Sequence, residues 1–156
     1  MALDLNINRS RVYEGAVQVL AAKALSGTDR KLFPTIRELL CFAALLGFSE
    51  GRRVPLDRSQ GVEDVSYQQF ERGNSEDLIW LIALADAQNV DVLRDGEEKT
   101  CAKIFEEYAN GGLAIINDCL LREGMEHPDR ALMSLLREKK YLVPSIPEPD
   151  LSGVAF

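Results

Sequence analysis

A chain of 156 residues can bury one hydrophobic core without disulfides or metal, and 46% hydrophobic with 28% charged residues is an ordinary globular composition. A net charge of −7, with an isoelectric point near 4.8, excludes a protein that holds nucleic acid through overall positive charge. No apolar run approaches the roughly 18 residues of a membrane span, and the start MALDLNINRSR lacks a secretion-signal layout, so the cytoplasm is the expected compartment and no membrane contact is expected.

In chain order, Arg9 to Ala24 reads as the first helix, because Val12, Ala16, Val19 and Leu20 recur at three- and four-residue spacing. Ser26-Gly27-Thr28-Asp29 is a turn by composition, followed by the cationic pair Arg30-Lys31. The stretch Phe33 to Leu56 then organises the chain. Thr35 and Glu38 spell a capping box, T-x-x-E, at the start of a helix. From Ile36 onward, Leu39, Leu40, Phe42, Ala43, Leu45 and Leu46 cover more than one stripe, so burial on several sides is expected, by this chain or by a second copy. Gly47 is the expected stop, and Gly51-Arg52-Arg53 a short cationic loop before Pro55.

Leu56 to Val65 reads as a polar loop carrying Arg58, and Ser66 to Phe70 as a single helical turn. Asn74 or Ser75 caps a second apolar helix, Glu76 to Ala87, with Trp80 as a core anchor. The expectation is that this helix and Thr35–Gly47 are the two most buried elements and pack on one another, with Phe42, Leu46, Trp80 and Leu84 inside. A further helix from Glu97 to Tyr108 is interrupted or ended at Asn110-Gly111-Gly112 and resumes from Leu113 to Arg122. The glycine pair lacks the strand and the spacing of a phosphate loop; it reads as a corner of close packing, with phosphate binding by its N–H groups as the other reading. His127 precedes Pro128 at the entry of a last helix, Asp129 to Leu142. The three prolines of VPSIPEPDLSGVAF predict an extended tail over 143–156, beyond a helical domain of residues 1–142.

Two blocks carry a resemblance. FAALLGFSEGRRVPL, Phe42 to Leu56, resembles the signature of accessory proteins encoded beside DNA phosphorothioation (Dnd) genes, the family called DNA phosphorothioation-associated protein 4. IFEEYANGGLAII, Ile104 to Ile116, resembles that family's second block, and the likeness spans roughly residues 33 to 120. The run LCFAALLGFSE is also similar to the small E component of the same system, known as a helical, oligomeric, DNA-binding protein. The resemblance implies work in a bacterial phosphorothioation-based modification and antiphage defence system, beside other phosphorothioation or restriction proteins and as a homo-oligomer. It marks Tyr108, Asn110, Gly111 and Gly112 as motif residues with a structural or interaction role.

Strand-like alternation is nearly absent, so the expected fold is all-α, about six helices around one core. Cys41, Cys101 and Cys119 sit singly among apolar positions and read as buried free thiols. One histidine leaves no triad to assemble, and no spacing of carboxylates specifies a nuclease or a metal site. The expectation is therefore a non-enzymatic protein without metal or cofactor. Charge is uneven: residues 1–61 hold nine Lys/Arg against six Asp/Glu, net +3, and residues 62–156 hold nine against nineteen, net −10. The candidate DNA contacts are accordingly Arg30, Lys31, Arg52, Arg53 and Arg58, which bind phosphates or merely solvate their loops. The alternative is an acidic adaptor that meets a basic, DNA-handling partner without touching DNA.

Overall fold

The computed structural model describes residues 4–142 and 152–153. The expected tail over 143–156 therefore lies largely outside the described residues. Strand β1 (Asn6–Ser10) leads into a 3-10 turn and helix α1 (Glu14–Val17), which continues as a π-helical turn to Ala22. Helix α2 (Ile36–Ser49), strand β2 (Val62–Ser66) and helices α3 (Tyr67–Arg72), α4 (Glu76–Ala87), α5 (Glu98–Glu123) and α6 (Pro128–Glu138) follow.

The fold is mostly helical but not all-α. β1 and β2 form a two-stranded antiparallel sheet in the register Ile7↔Val65 and Arg9↔Glu63. Each strand has five residues, and few of them are apolar. The inward face holds Ile7 (0% exposed), Val65 (4%) and the buried but charged Arg9 (6%), so its apolar alternation is too short to read along the chain. The strand also displaces the expected first helix. Ser10 Oγ accepts a hydrogen bond from Val12 N at 3.2 Å, and α-helix begins only at Glu14.

At the start of α2 the capping box is complete: Thr35 Oγ1 accepts from Glu38 N, and Glu38 Oε2 accepts from Thr35 N, both at 3.2 Å. The stop is not Gly47. The helix runs on to Ser49, and Gly51, at φ +64°, ends it with a Schellman pair, Arg52 N to Gly47 O (2.7 Å) and Gly51 N to Phe48 O (3.1 Å).

Helix α5 is the centre of the molecule. Its 26 residues extend roughly 39 Å, every residue from Ile104 to Ile116 is buried, and it touches α1, α2, α4, α6 and β1. No break occurs at Asn110-Gly111-Gly112. Gly112 lies against α2, where a Cβ would meet the Ala43 carbonyl oxygen at 1.8 Å, and at Gly47 a Cβ would meet the Tyr108 carbonyl oxygen at 2.1 Å. These glycines let two backbones cross in contact, and the packing gained there offsets the roughly 1 kcal/mol that each glycine costs a helix. So α2 packs mainly on α5, not on α4 as expected. Phe42, Trp80 and Leu84 are only partly buried, while Ile79, Ile82 and Ala83 carry the inner face of α4.

The remaining expectations resolve locally. Ser75 stands at the N-cap of α4 but uses its hydroxyl to accept from Arg37 Nη1 at 2.8 Å. His127 is exposed at the N-cap of α6 with Pro128 next, and that helix ends at Glu138, before Lys140 turns left-handed at φ +63°. All three thiols are free, and burial pushes each up in pKa, away from the reactive thiolate. Cys101 and Cys119 are buried, whereas Cys41 is half-buried.

Candidate nucleic-acid interface

The segment 51–58 leaves α2 at Gly51 and runs back along α5 as a strap. Its attachments are specific. Val54 N donates to the Glu107 main-chain oxygen at 3.0 Å, and Asn110 Nδ2 donates to the carbonyls of Val54 (3.1 Å) and Pro55 (3.3 Å). At Gly111 a Cβ would stand 1.9 Å from the Arg52 carbonyl oxygen, so the helix admits the strap only because that residue is glycine.

Arg53 is the principal clasp. Its guanidinium donates to Glu107 Oε1 (Nη2 at 2.9 Å, Nε at 3.3 Å) and to Asp86 Oδ2 (Nη1 at 2.8 Å), and it lies over the Tyr108 ring at 5.9 Å. Tyr108 Oη donates to the other Asp86 oxygen at 2.5 Å. Burial works against the charge on Arg53, but the hydrogen bond to Glu107 and the fields of Glu107 and Asp86 outweigh it, leaving its pKa above the ordinary value. For Tyr108, burial and the bond to Asp86 both push the phenol up.

Because two carboxylates hold Arg53, the strap offers its two ends. Arg52 and Arg58 are both exposed, and neither forms an ion pair among the described residues. Arg58 stands on the 3-10 turn Arg58–Gln60, which Asp57 caps by accepting from Ser59 N at 3.0 Å. It shares a cavity of about 510 Å³ with Lys99 and Lys103, one helical turn apart on α5. Arg52 lines a smaller hollow, about 150 Å³, with Arg122 and Lys139. Arg30 and Lys31 are exposed on the loop before α2, steadied by Leu25 N to Arg30 O at 2.7 Å and by the Ala24–Lys31 bridge, and they line neither cavity.

The five cations expected from sequence thus fall into separate places, and Arg53 is bound internally. Lys99 and Lys103 are visible in the sequence as an i, i+4 pair, but read alone they are ordinary helix electrostatics. Glu106 carries no sequence signal of its own. It is 6% exposed and accepts from Asn8 N (2.7 Å) and Asn8 Nδ2 (3.0 Å), so its carboxylate covers the free edge of β1. Burial raises its pKa, opposed by the Asn8 N–H and the Arg58 charge. Among the described residues no His/Cys/Asp/Glu group could hold a metal ion, and no helix is long and apolar enough to cross a membrane.

The motif residues Tyr108, Asn110, Gly111 and Gly112 all lie where α5 receives the strap or α2. The two sequence blocks of the resemblance are therefore two sides of one contact. No curated protein and no solved structure matches the chain. One family does, that of the DNA sulphur modification system-associated protein 4, over residues 9–153, and the chain belongs to it.

Proposed function

We propose that the protein is a non-enzymatic accessory component of a DNA sulphur modification and antiphage defence system, which touches DNA phosphates locally and holds partner proteins there. The family supports the pathway. The observation that carries the DNA contact is the strap: two exposed guanidiniums, Arg52 and Arg58, at the ends of a segment pinned to the central helix. A rigid backbone spares the loop its own ordering cost when its guanidiniums meet phosphates, and each can offer two parallel N–H donors. Arg53 in this reading is the pin, and Arg30 with Lys31 is a separate, outlying contact. We extend the proposal to a two-fold dimer through the face of α2 that this chain leaves open, where Leu45 is 46% and Phe48 36% exposed.

The test is fluorescence anisotropy with a short labelled duplex at low and moderate salt. R52A/R58A should weaken binding equally on unrelated sequences, since phosphate contacts carry little base information. The slope of log K against log salt should flatten by about 2, at roughly 0.9 ions per lost phosphate contact. A wild-type chain that binds no duplex at about 50 mM salt, where screening is weak, would end the direct-contact reading. The protein adaptor would then take its place, a reading favoured by Leu81 (60% exposed), Val90 (71%) and Leu93 (44%) on α4 and the turn after it.

A further inference from the structure

We propose that the cavity between β1, the 55–58 end of the strap and the first turns of α5 is a binding pocket for a nucleoside monophosphate, with its phosphate on Arg58, Lys99 and Lys103 and an N–H edge of its base on Glu106. The inference goes beyond the duplex contact and needs neither Arg52 nor a duplex.

The volume, about 510 Å³, lies within the range of small-molecule sites. Its lining divides by chemistry. Arg58, Lys99 and Lys103 are long, exposed cations converging from two elements, without an ion pair among the described residues. On the inner side stands Glu106, more than nine-tenths buried. Both donor nitrogens of Asn8 bond Glu106 Oε1, so Oε2 accepts no hydrogen bond from the described residues and is open to the cavity. That oxygen is the acceptor Glu106 presents to the cavity, and a ligand N–H could replace the water that reaches it. Leu5, Leu56 and Ala102 add apolar wall to the same cavity.

The three cations, which form no ion pair among the described residues, favour an anionic group. Asp4, Glu106 and Glu107 share the lining with them, and Glu107 shares Arg53 with Asp86. A simple anion would leave Glu106 unanswered, and a cation would be repelled by the lysines. A ligand with an anionic end, an apolar flat body and an N–H edge answers all three parts of the lining, and a nucleotide has that layout. Base N–H donors to a carboxylate also discriminate strongly, because the analogue lacking them leaves the oxygen bare.

The experiment is isothermal titration calorimetry of the full chain with dGMP, with deoxyguanosine and inorganic phosphate as separate arms, and with a single-stranded oligonucleotide to distinguish a free nucleotide from one within a strand. dGMP should bind at least about tenfold more tightly than either fragment, as expected when two contacts worth about 1.4 kcal/mol or more combine. K99A/K103A, both surface changes, should weaken dGMP and phosphate alike by about tenfold or more, and E106Q should weaken dGMP while sparing phosphate. R52A should leave dGMP unchanged, so that loss of duplex binding and loss of nucleotide binding are read separately. Absence of dGMP binding at millimolar concentration overturns the pocket. Equal binding of dGMP and phosphate, insensitive to E106Q, overturns the base contact and reduces the site to a cationic patch.

Discussion

At the scale of single residues, glycines in this chain do opposite jobs, and the surroundings of the missing Cβ tell them apart. Gly112→Ala would drive a methyl into the Ala43 carbonyl, which is main chain and cannot rotate away. The expected cost is about 3 kcal/mol or more, the upper end of overpacking. Gly15→Ala meets nothing within 4 Å on an exposed helical turn and should stabilise by about 0.4–1 kcal/mol through the unfolded state. Urea denaturation of the two variants should therefore move midpoints in opposite directions. Glu106 is the second informative residue. Its folded pKa lies above the ordinary carboxylate range, so the folded state binds the proton more tightly. Stability from this group consequently falls as pH rises from the ordinary range through the raised value. Glu106→Gln should flatten that part of a stability–pH curve; an unchanged profile would show that the carboxylate is not the source.

Among elements, the strap is the informative piece. Its rigidity rests on Arg53 bridging Glu107, whose side chain is 7% exposed, and Asp86 at 21%. Arg53→Ala strands a buried carboxylate and should cost about 2 kcal/mol, kept below the fully buried case because Arg53 is itself 37% exposed. Arg53→Lys should recover only part, since an ammonium cannot span both partners with planar donors. Arg52→Ala, in the same loop, should stay within about 0.5 kcal/mol because its exposed side chain makes no such bond with the described residues. Chemical denaturation of these variants separates the pin from the exposed end. If Arg53→Ala proves as mild as Arg52→Ala, the clasp does not hold the strap.

For the whole molecule, the single chain already covers most of α2, the helix whose apolar circumference first suggested a second subunit. What remains outward is Leu45 and Phe48. A dimer built there would be modest in area, and light scattering at micromolar concentration should report a mass near twice 17.4 kDa. Leu45→Glu together with Phe48→Glu should return it to the monomer without unfolding, since neither side chain is buried. A wild-type mass of 17.4 kDa alone would remove the dimer.

Local patterns are legible in the order of residues alone: the Thr35–Glu38 box, the α4 span from Glu76 to Ala87, the entry of the last helix at Pro128, and the two blocks that name the family. Each depends on neighbours within a few residues, and sequence spacing reports such interactions directly. What the tertiary structure decided were the relations between distant segments. Gly47 reads as a stop because glycine ends helices, and only the approach of Tyr108 shows that it serves a crossing. The strand at Asn6–Ser10 exists because β2, over fifty residues away, supplies its partner and Glu106 covers its other edge. Arg53 and Arg52 are adjacent and chemically identical, yet one faces two carboxylates and the other faces water. That difference follows from the side of the strap on which α5 lies, because a through-space electric field has no counterpart in local spacing.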